Sequence, residues 1–241
     1  MATALKKNQR SVPRVDGVYD RLRREILAGV ISPGEFLLEE GLAQRLKISR
    51  TPLREAFIHL YRDGLLQKGP YKGYVVTEVT LETYREVFQL RMLLEPAAAK
   101  LAAQNPKATP FLEQAVQAVQ RMEILAKPGL TPEELLEAGE LDSGFHGCIA
   151  QASGNKRLVK FIHELNGVQQ FGYAKYPDRP LAATTQEHRN IVKAIKSGDA
   201  AKAEQAMLHH VRRALERAKE LFLGESSMGN LGDSNAGLRP S

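Results

Sequence analysis

The sequence predicts a mainly α-helical protein of two domains: a small domain of three helices and a β-hairpin, then a larger domain built of helices alone. Apolar residues recur at helical spacing along most of the 241 residues, as on the buried face of an amphipathic helix. Short extended runs bounded by turn residues occur between residues 65 and 78. Residues 1–79 hold 14 lysines and arginines against 9 acidic residues, whereas the remaining 162 residues hold 20 against 19. A basic first domain on a nearly neutral second one is typical of a protein that binds a polyanion through one part only.

The composition narrows the class of protein. Hydrophobic residues make up 43% of the chain and charged residues 26%, which is typical of globular proteins and excludes a largely disordered or fibrous chain. The single cysteine, Cys148, excludes an intramolecular disulfide and a cysteine-rich zinc module. No apolar run approaches the roughly 18 residues of a membrane helix, and no secretory signal is recognisable. We therefore expect a cytoplasmic protein without a membrane partner.

Helix and turn signals define the elements of the first domain, residues 1–79. Its first helix ends at Gly29, before the pair Pro33-Gly34. Its third helix begins where Ser49 provides a cap and Pro52 lies in the first turn. Two extended runs then flank a turn that contains glycine at both ends. The predicted elements are helices over 16–29, 39–46 and 49–62 and strands over 65–68 and 74–78.

The second domain, residues 80–223, is predicted to contain six helices separated by breaks at Gly, Pro and Asn. These helices are expected near residues 80–103, 108–126, 131–152, 155–175, 181–197 and 199–222. Residues 224–241 are rich in Gly, Ser and Asn and lack a hydrophobic period. We expect this last segment to be a disordered tail.

Basic and hydroxyl side chains gather at the start of the third predicted helix. In a helix-turn-helix, the second helix of the motif enters the major groove of DNA, and residues near its N-terminus contact base edges and phosphates. An arginine fork can bind guanine O6 and N7 there. The same arginines could instead belong to the solvated face of a small helical domain. The candidate DNA contacts are Ser49, Arg50, Thr51 and Arg54 on the helix and Lys72 and Gly73 at the hairpin tip.

Four polar side chains fall on otherwise apolar helix faces in the second domain. Asp142 and His146 are four residues apart, so they project from one face. His188 lies 10 residues before the turn at Gly198 and His210 lies 12 after it, so in an antiparallel hairpin they reach similar heights. Three imidazoles and a carboxylate suit a divalent first-row ion such as zinc or nickel, with open positions for an oxygen ligand. Each side chain could instead be a satisfied polar group of the core.

Arg91 lies on an apolar stripe of the first helix of the second domain, so its guanidinium should point inward. There it could clamp the carboxylate of a small effector through two hydrogen bonds. Alternatively, Arg91 forms an internal pair with Glu95, which lies four residues further along the same helix. The sequence leaves both roles open.

A specific motif connects the first domain to a known family. The run Ser-Arg-Thr-Pro-Leu-Arg-Glu-Ala at residues 49–56, together with Pro33-Gly34 and Asp63-Gly64-Leu65, resembles the winged-helix domain of GntR-type bacterial transcription regulators. The resemblance implies a winged helix-turn-helix in which the hydroxyls and arginines of that run, and Gly73 in the wing, contact operator DNA. The chain departs from the family at Glu40, where some members carry a further DNA-contacting arginine.

The second domain resembles the same regulators in their FadR branch. The resemblance is carried by Arg91 with Glu95-Pro96-Ala97-Ala98, by Phe145-His146, by Ser153-Gly154-Asn155, by Glu187-His188, and by Met207 with His210. These motifs are similar to those of the all-helical effector domain called FCD. In its metal-bearing members an Asp and three His hold the ion, which implies that Asp142, His146, His188 and His210 do so here.

Together these features predict a ligand-responsive regulator, a repressor of a metabolic operon, that binds palindromic operator half-sites as a homodimer. A small organic acid is expected to bind at the metal and Arg91 and to favour one arrangement of the dimer. The alternative is a metal-dependent hydrolase or lyase that uses the Asp/His site and has a basic tethering domain. Such an enzyme needs a positioned general base, and the sequence contains no His-Glu-x-x-His motif. We therefore expect a regulator and not an enzyme.

Overall fold

The computed structural model describes residues 15–70, 73–175 and 180–229. The chain divides into two compact units, the first ending at Val76 and the second beginning at Thr77. The described residues of the first unit form three helices and a small sheet, and those of the second form helices joined by turns. The mainly helical class predicted from the sequence is confirmed.

The first unit contains a tight helix-turn-helix. Its elements are α1 (Val15–Leu27), β1 (Phe36–Leu37), α2 (Glu39–Leu46), α3 (Arg50–Arg62), β2 (Leu66–Lys68) and β3 (Tyr74–Val76). Lys47 ends α2 in the left-handed conformation, with φ 56°, and Ser49 precedes the first residue of α3 in an extended conformation. α1 packs against α3, and the apolar side chains between them are buried, namely Leu22, Ile26, Leu53, Phe57 and Leu60. This packing holds α3 in place and leaves its N-terminal end outside the core.

The sheet contains one strand more than the predicted hairpin. β3 pairs antiparallel with both β1 and β2, giving the order β1-β3-β2. The register places Leu37 opposite Tyr74 and Leu66 opposite Val76. β1 has only two residues, which is too short for alternation to appear in the sequence. Its pairing with β3 depends on contacts about 38 residues apart along the chain.

Two glycines of the wing make room for an aromatic ring. A Cβ added at Gly73 would lie 2.4 Å from Cζ of Phe36 and 3.1 Å from the carbonyl oxygen of Leu37, and one added at Gly69 would lie 2.8 Å from Cε2 of Phe36. Both distances to the ring are shorter than van der Waals contact allows. The ring of Phe36 therefore closes over the base of the β2–β3 turn only because both positions are glycine.

The part of the second unit that the structure describes is a bundle of six helices. They are α4 (Leu81–Gln104), α5 (Thr109–Ile124), α6 (Pro132–Ala152), α7 (Lys156–Lys175), α8 (Leu181–Lys196) and α9 (Ala200–Gly229). α4 packs against α6, α7, α8 and α9, and α5 packs against α6 and α8. The bounds of α4 to α8 and the start of α9 were predicted within two residues. None of the helices in the described residues combines the length and the apolar character needed to cross a membrane.

The last helix is longer than the sequence predicts. α9 continues to Gly229, so residues 224–229, which were assigned to a disordered tail, are helical. The physical reason is that this stretch contains no proline and only one interior glycine, Gly224, and a single glycine costs a helix only about 1 kcal/mol. The rest of the predicted tail, residues 230–241, lies outside the described residues.

The contact between the wing glycine and Phe36 predicts a non-additive pair of substitutions. Gly73→Ala should lower the free energy of unfolding by about 1–3 kcal/mol because the new methyl group overlaps the ring. The same substitution in a Phe36→Ala background should cost much less, because the ring is gone. Urea unfolding of the wild type, the two single variants and the double variant measures the coupling between the two substitutions. Gly41→Ala, on α2 where an added Cβ meets nothing within 4 Å, is the control, and an equal cost of Gly73→Ala in both backgrounds would contradict the prediction.

Candidate nucleic-acid interface and metal centre

The N-terminal end of α3 presents the helix residues predicted to contact DNA. Ser49, Arg50, Thr51 and Arg54 are all exposed. The side chains of Arg50 and Arg54 are 61% and 63% exposed, and the hydroxyl of Ser49 makes no capping hydrogen bond with the described backbone of α3. The structure therefore brings these four side chains together at one accessible helix end.

Acidic side chains of α2 contact both arginines. Arg54 donates hydrogen bonds from Nε and Nη2 to the carboxylate of Glu39 at 2.7–3.2 Å. Arg50 Nη2 contacts Oε1 of Glu40. The hydrogen bonds from Arg54 lower the pKa of Glu39, so this carboxylate is charged at neutral pH. Sequence reasoning noted Glu40 as a departure from the family but did not predict either contact.

Of the two wing residues predicted to contact DNA, the structure describes Gly73 and does not describe Lys72. Gly73 is buried at the turn that Phe36 covers, and its N–H donates to the carbonyl oxygen of Pro70 at 3.1 Å. The glycine is thus explained by packing within the wing. Lys72 lies outside the described residues.

Three helices bring the predicted metal ligands together. Asp142 and His146 lie on α6, His188 on α8 and His210 on α9, and each is 1% exposed or less. One ligand atom of each lies within 4.8 Å of the others. His210 Nε2 is 3.3 Å from both His146 Nε2 and His188 Nε2, and His188 Nε2 is 3.4 Å from Asp142 Oδ1. The residues form a closed group of three nitrogens and one oxygen that could hold a metal ion.

Local features of the helices fix this geometry. α6 begins with a capping box in which Thr131 Oγ1 accepts from the Glu134 N–H at 3.2 Å and Glu134 Oε2 accepts from the Thr131 N–H at 2.9 Å. The ring of His188 stacks on Phe145, with centroids 3.8 Å apart. Capping sets where α6 starts, and stacking restrains the rotation of the imidazole.

Two of the imidazoles contact glutamates through Nδ1, the ring nitrogen that does not face the other ligands. His146 Nδ1 is 2.7 Å from Glu95 Oε2, and His210 Nδ1 is 2.7 Å from Glu187 Oε2. An imidazole that donates Nδ1–H to a carboxylate keeps a lone pair on Nε2, which is the atom offered to a metal. Arg217 in turn donates to both oxygens of Glu187 at 2.8 and 2.9 Å. The hydrogen bond between His210 Nδ1 and Glu187 thus leaves the lone pair of His210 Nε2 for the point shared with the other ligands, whereas His146 Nδ1 lies close to Glu95 without making a hydrogen bond in the described residues.

Burial and these contacts set the protonation states. Burial by itself raises the pKa of Glu95 and of Glu187. The Arg91 and His146 contacts nevertheless hold the pKa of Glu95 well below its ordinary value, and the hydrogen bonds from Arg217 and His210 lower the pKa of Glu187 to about 2. Burial also lowers the pKa of His188 and of His210, which favours the neutral imidazole that metal binding requires.

Arg91 forms the internal pair with Glu95, which is one of the two roles considered from the sequence. The residue is fully buried, and its Nε donates to Glu95 Oε1 at 2.5 Å. Its Nη2 lies 3.2 Å from His146 Nε2. Its Nη1 is buried without a hydrogen-bond partner in the described residues. Arg91 also lines a cavity of about 20 Å³ with Asp142, His210 and Arg217, which is room for about one water molecule.

Sequence reasoning missed Glu187 and Arg217 as members of the site and treated Glu95 only as a partner of Arg91. A signal existed for Arg217, because it lies seven residues after His210 on α9 and so two turns along the same face. The group thus contains three carboxyl side chains, of Glu95, Asp142 and Glu187, and two guanidiniums, of Arg91 and Arg217. Glu187 and Arg217 are partly exposed, and the other three side chains are buried.

Comparison with known proteins gives the family. Residues 14–76 match the family described as bacterial regulatory proteins, gntR family, and residues 86–213 match the FCD domain. The uncharacterized HTH-type transcriptional regulator YdhC of Bacillus subtilis (strain 168) is 28% identical over 206 residues, which cover 85% of this chain and 90% of that protein. The HTH-type transcriptional repressor RspR of Escherichia coli (strain K12) is 29% identical over 208 residues, 85% of this chain and 88% of that protein.

A solved structure agrees in fold. E. coli McbR/YncC superposes with a TM-score of 0.63 at 21% identity, over 86% of this chain and 98% of that chain. The FCD match alone covers more than half of the 241 residues, and the relatives are named as regulators, which excludes the hydrolase or lyase considered as an alternative. The chain belongs to the GntR family, as a helix-turn-helix transcriptional regulator with an FCD domain.

Proposed function

We propose that the protein is a ligand-responsive repressor of a metabolic operon. Residues 1–79 bind palindromic operator DNA in a homodimer, and residues 80–223 sense a small organic acid at a divalent metal ion. The observation that carries this proposal is the convergence of Asp142, His146, His188 and His210 within 4.8 Å in the interior of the second unit. The relative RspR is named a transcriptional repressor, which supports repression as the direction of regulation. A regulator of chromosomal DNA acts in the cytoplasm, which is where we place this protein.

The separations between the ligand atoms support a metal ion. Two atoms that each lie about 2.1 Å from one ion are about 3.0 Å apart at an angle of about 90° and about 3.4 Å apart at the tetrahedral angle. Three of the observed separations, two of 3.3 Å and one of 3.4 Å, agree with this range, and angles smaller than tetrahedral leave space at the ion for a further ligand. Two imidazole lone pairs that face each other at this distance repel unless a cation lies between them. Asp142 Oδ1, buried and without a hydrogen-bond partner in the described residues, is also satisfied by an ion. Zinc or nickel fits this donor set.

The metal assignment predicts about one divalent ion per chain. His188→Ala and His210→Ala should each remove most of the ion, because a ligand is lost, whereas His209→Ala on the exposed face of α9 should retain it. Glu187→Gln should weaken metal affinity about 10- to 100-fold, because His210 loses its partner. Occupancy should be full at neutral pH and should fall below roughly pH 6, where protons compete for the imidazoles. Elemental analysis of purified protein measures the content, and full occupancy in the His188→Ala, His210→Ala double variant would contradict the assignment.

Arg91 supports a carboxylate effector at the same place. Its Nη1 has no hydrogen-bond partner in the described part of the chain although the residue is fully buried, and such a donor is costly to leave unsatisfied. A metal at His146 Nε2 would also compete for the contact that Nη2 now makes. The cavity of about 20 Å³ is too small for an organic acid, so binding requires the surrounding helices to move. This need for movement is the basis on which an effector would favour one conformation.

The effector proposal is tested with a lysine at position 91. Arg91→Lys keeps a cation beside Glu95 but removes the forked donor, whereas Arg91→Ala removes the guanidinium that pairs with the buried Glu95 carboxylate and leaves it only the contact with His146, which costs about 3–5 kcal/mol. In a thermal-shift screen with acetate, lactate, succinate and citrate, we expect at least one acid to raise the unfolding temperature of the metal-loaded protein. The Arg91→Lys variant should keep its metal, but the acid should raise its unfolding temperature much less than that of the wild type. An equal shift in wild type and Arg91→Lys would move the effector site elsewhere.

DNA binding is proposed to depend on the exposed end of α3, with Ser49 and Thr51 beside the arginines and Lys72 and Gly73 in the wing. Recognition helices of a dimer read half-sites about one helical turn, or 34 Å, apart. An exposed apolar stripe on α4 supports dimerisation through the second unit, because it lies within one helix face. Its residues are Leu90, Leu93 and Leu101, which are 48%, 71% and 37% exposed.

Operator affinity should therefore fall when either arginine is removed. Arg50→Ala and Arg54→Ala should each weaken binding by about 1–3 kcal/mol, because a guanine contact is lost. The probe is a duplex enriched from a random pool by the wild-type protein, and gel shift measures its affinity. Arg213→Ala, which removes an arginine with a 52% exposed side chain from the second unit, controls for net charge. Wild-type affinity in the Arg50→Ala, Arg54→Ala double variant would refute the assignment of α3.

A further inference from the structure

The two carboxylates that contact the proposed DNA-reading arginines differ in how firmly they are held. The Glu39 side chain is 21% exposed and accepts from Arg54 through both of its oxygens. The Glu40 side chain is 65% exposed and contacts Arg50 through Oε1 alone. Glu39 is therefore placed to hold Arg54, whereas the second oxygen of the Glu40 carboxylate has no donor among the described residues.

The position of Glu40 is unfavourable for binding DNA in general. Exposed ion pairs contribute little to stability, so the contact with Arg50 does not explain the residue through folding. A carboxylate on α2 beside the N-terminal end of the proposed recognition helix α3 is repelled by the phosphates of bound DNA, whereas cations that neutralise those phosphates supply much of the affinity for DNA. On the base edges of the major groove, however, a carboxylate has a favourable partner in the amino group of cytosine.

The Arg50–Glu40 contact presents donors and an acceptor side by side. The major-groove edge of a G·C pair offers the complementary row, with guanine N7 and O6 as acceptors and cytosine N4–H as donor. An A·T pair places the thymine O4 acceptor where cytosine has its donor, and this oxygen would repel a carboxylate. The exposed pair on α2 and α3 thus matches one base pair and opposes the other.

We infer that Glu40 is a specificity-determining residue, whose carboxylate accepts a hydrogen bond from the cytosine of the G·C pair whose guanine Arg50 binds. This inference rests on the proposed role of Arg50 in reading DNA. Glu40 lowers the affinity for DNA of any sequence, and the cytosine contact offsets that loss at the operator. Specificity then depends on the two residues together, which lie 10 positions apart in the chain.

The test compares base preferences selected from a randomised duplex pool by wild type, Glu40→Gln and Arg50→Ala. Glutamine can both accept and donate, so thymine is no longer rejected. In Glu40→Gln the preference for G·C over A·T should fall about 5- to 150-fold at one position of each half-site, and this position should be one at which Arg50→Ala also loses preference. Glu40→Gln should bind a random-sequence duplex more tightly than wild type, with the largest difference at low salt.

Glu216→Gln is the matched control, because it removes one negative charge from an exposed Arg–Glu contact on α9, where the side chain is 54% exposed. It should leave base preference unchanged. The inference is overturned if Glu40→Gln relaxes no position, or only positions that Arg50→Ala leaves unchanged. A failure of the proposed function looks different, because Arg50→Ala itself would then select the same sequences as wild type.

Discussion

Burying charged side chains is costly unless each is paired, and the second unit meets this constraint at the place where α4, α6, α8 and α9 come together. Arg91 and Glu95 come from α4, Asp142 and His146 from α6, Glu187 and His188 from α8, and His210 and Arg217 from α9. Removing one partner of such a group leaves an uncompensated buried charge, which is far more destabilising than the pair is stabilising. The four helices are therefore tied to a common arrangement by their polar interior as well as by their apolar contacts.

The same cluster connects the proposed metal ligands, the two arginines and the small cavity. Glu187 is hydrogen-bonded to His210 and to Arg217, and Glu95 contacts Arg91 and His146. Each carboxylate thus connects a proposed metal ligand to an arginine that lines the small cavity beside it. Under the proposed function, a change at the metal, at an arginine or in the cavity would alter the hydrogen bonds of the others, and a ligand bound there would shift the balance between conformations of the bundle.

The ion pairs between α2 and α3 of the first unit are exposed to solvent, in contrast to the cluster of the second unit. Arg50, Arg54 and Glu40 are exposed, so water screens their contacts and the energy of breaking them is small. Arginines held in this way can exchange a carboxylate for a base edge at little cost. Burial makes the cluster of the second unit a structural constraint, and exposure leaves the charges of the first unit available for binding.

The sequence by itself determined the helices of both units, within a few residues except at the end of α9, because helical periodicity, caps and turns are local properties. The i, i+4 spacing of Asp142 and His146, and the similar heights of His188 and His210 about Gly198, were sufficient to predict that the four converge. The tertiary structure alone decided the pairing of β1 with β3 and the contacts of Glu187 with His210 and Arg217. It also decided that α2 carboxylates meet the arginines of α3 and that the cavity beside the cluster is small. The strand pairing and the side-chain contacts join residues 10 to 39 positions apart, and their distances depend on how whole helices and strands pack, which no local pattern specifies.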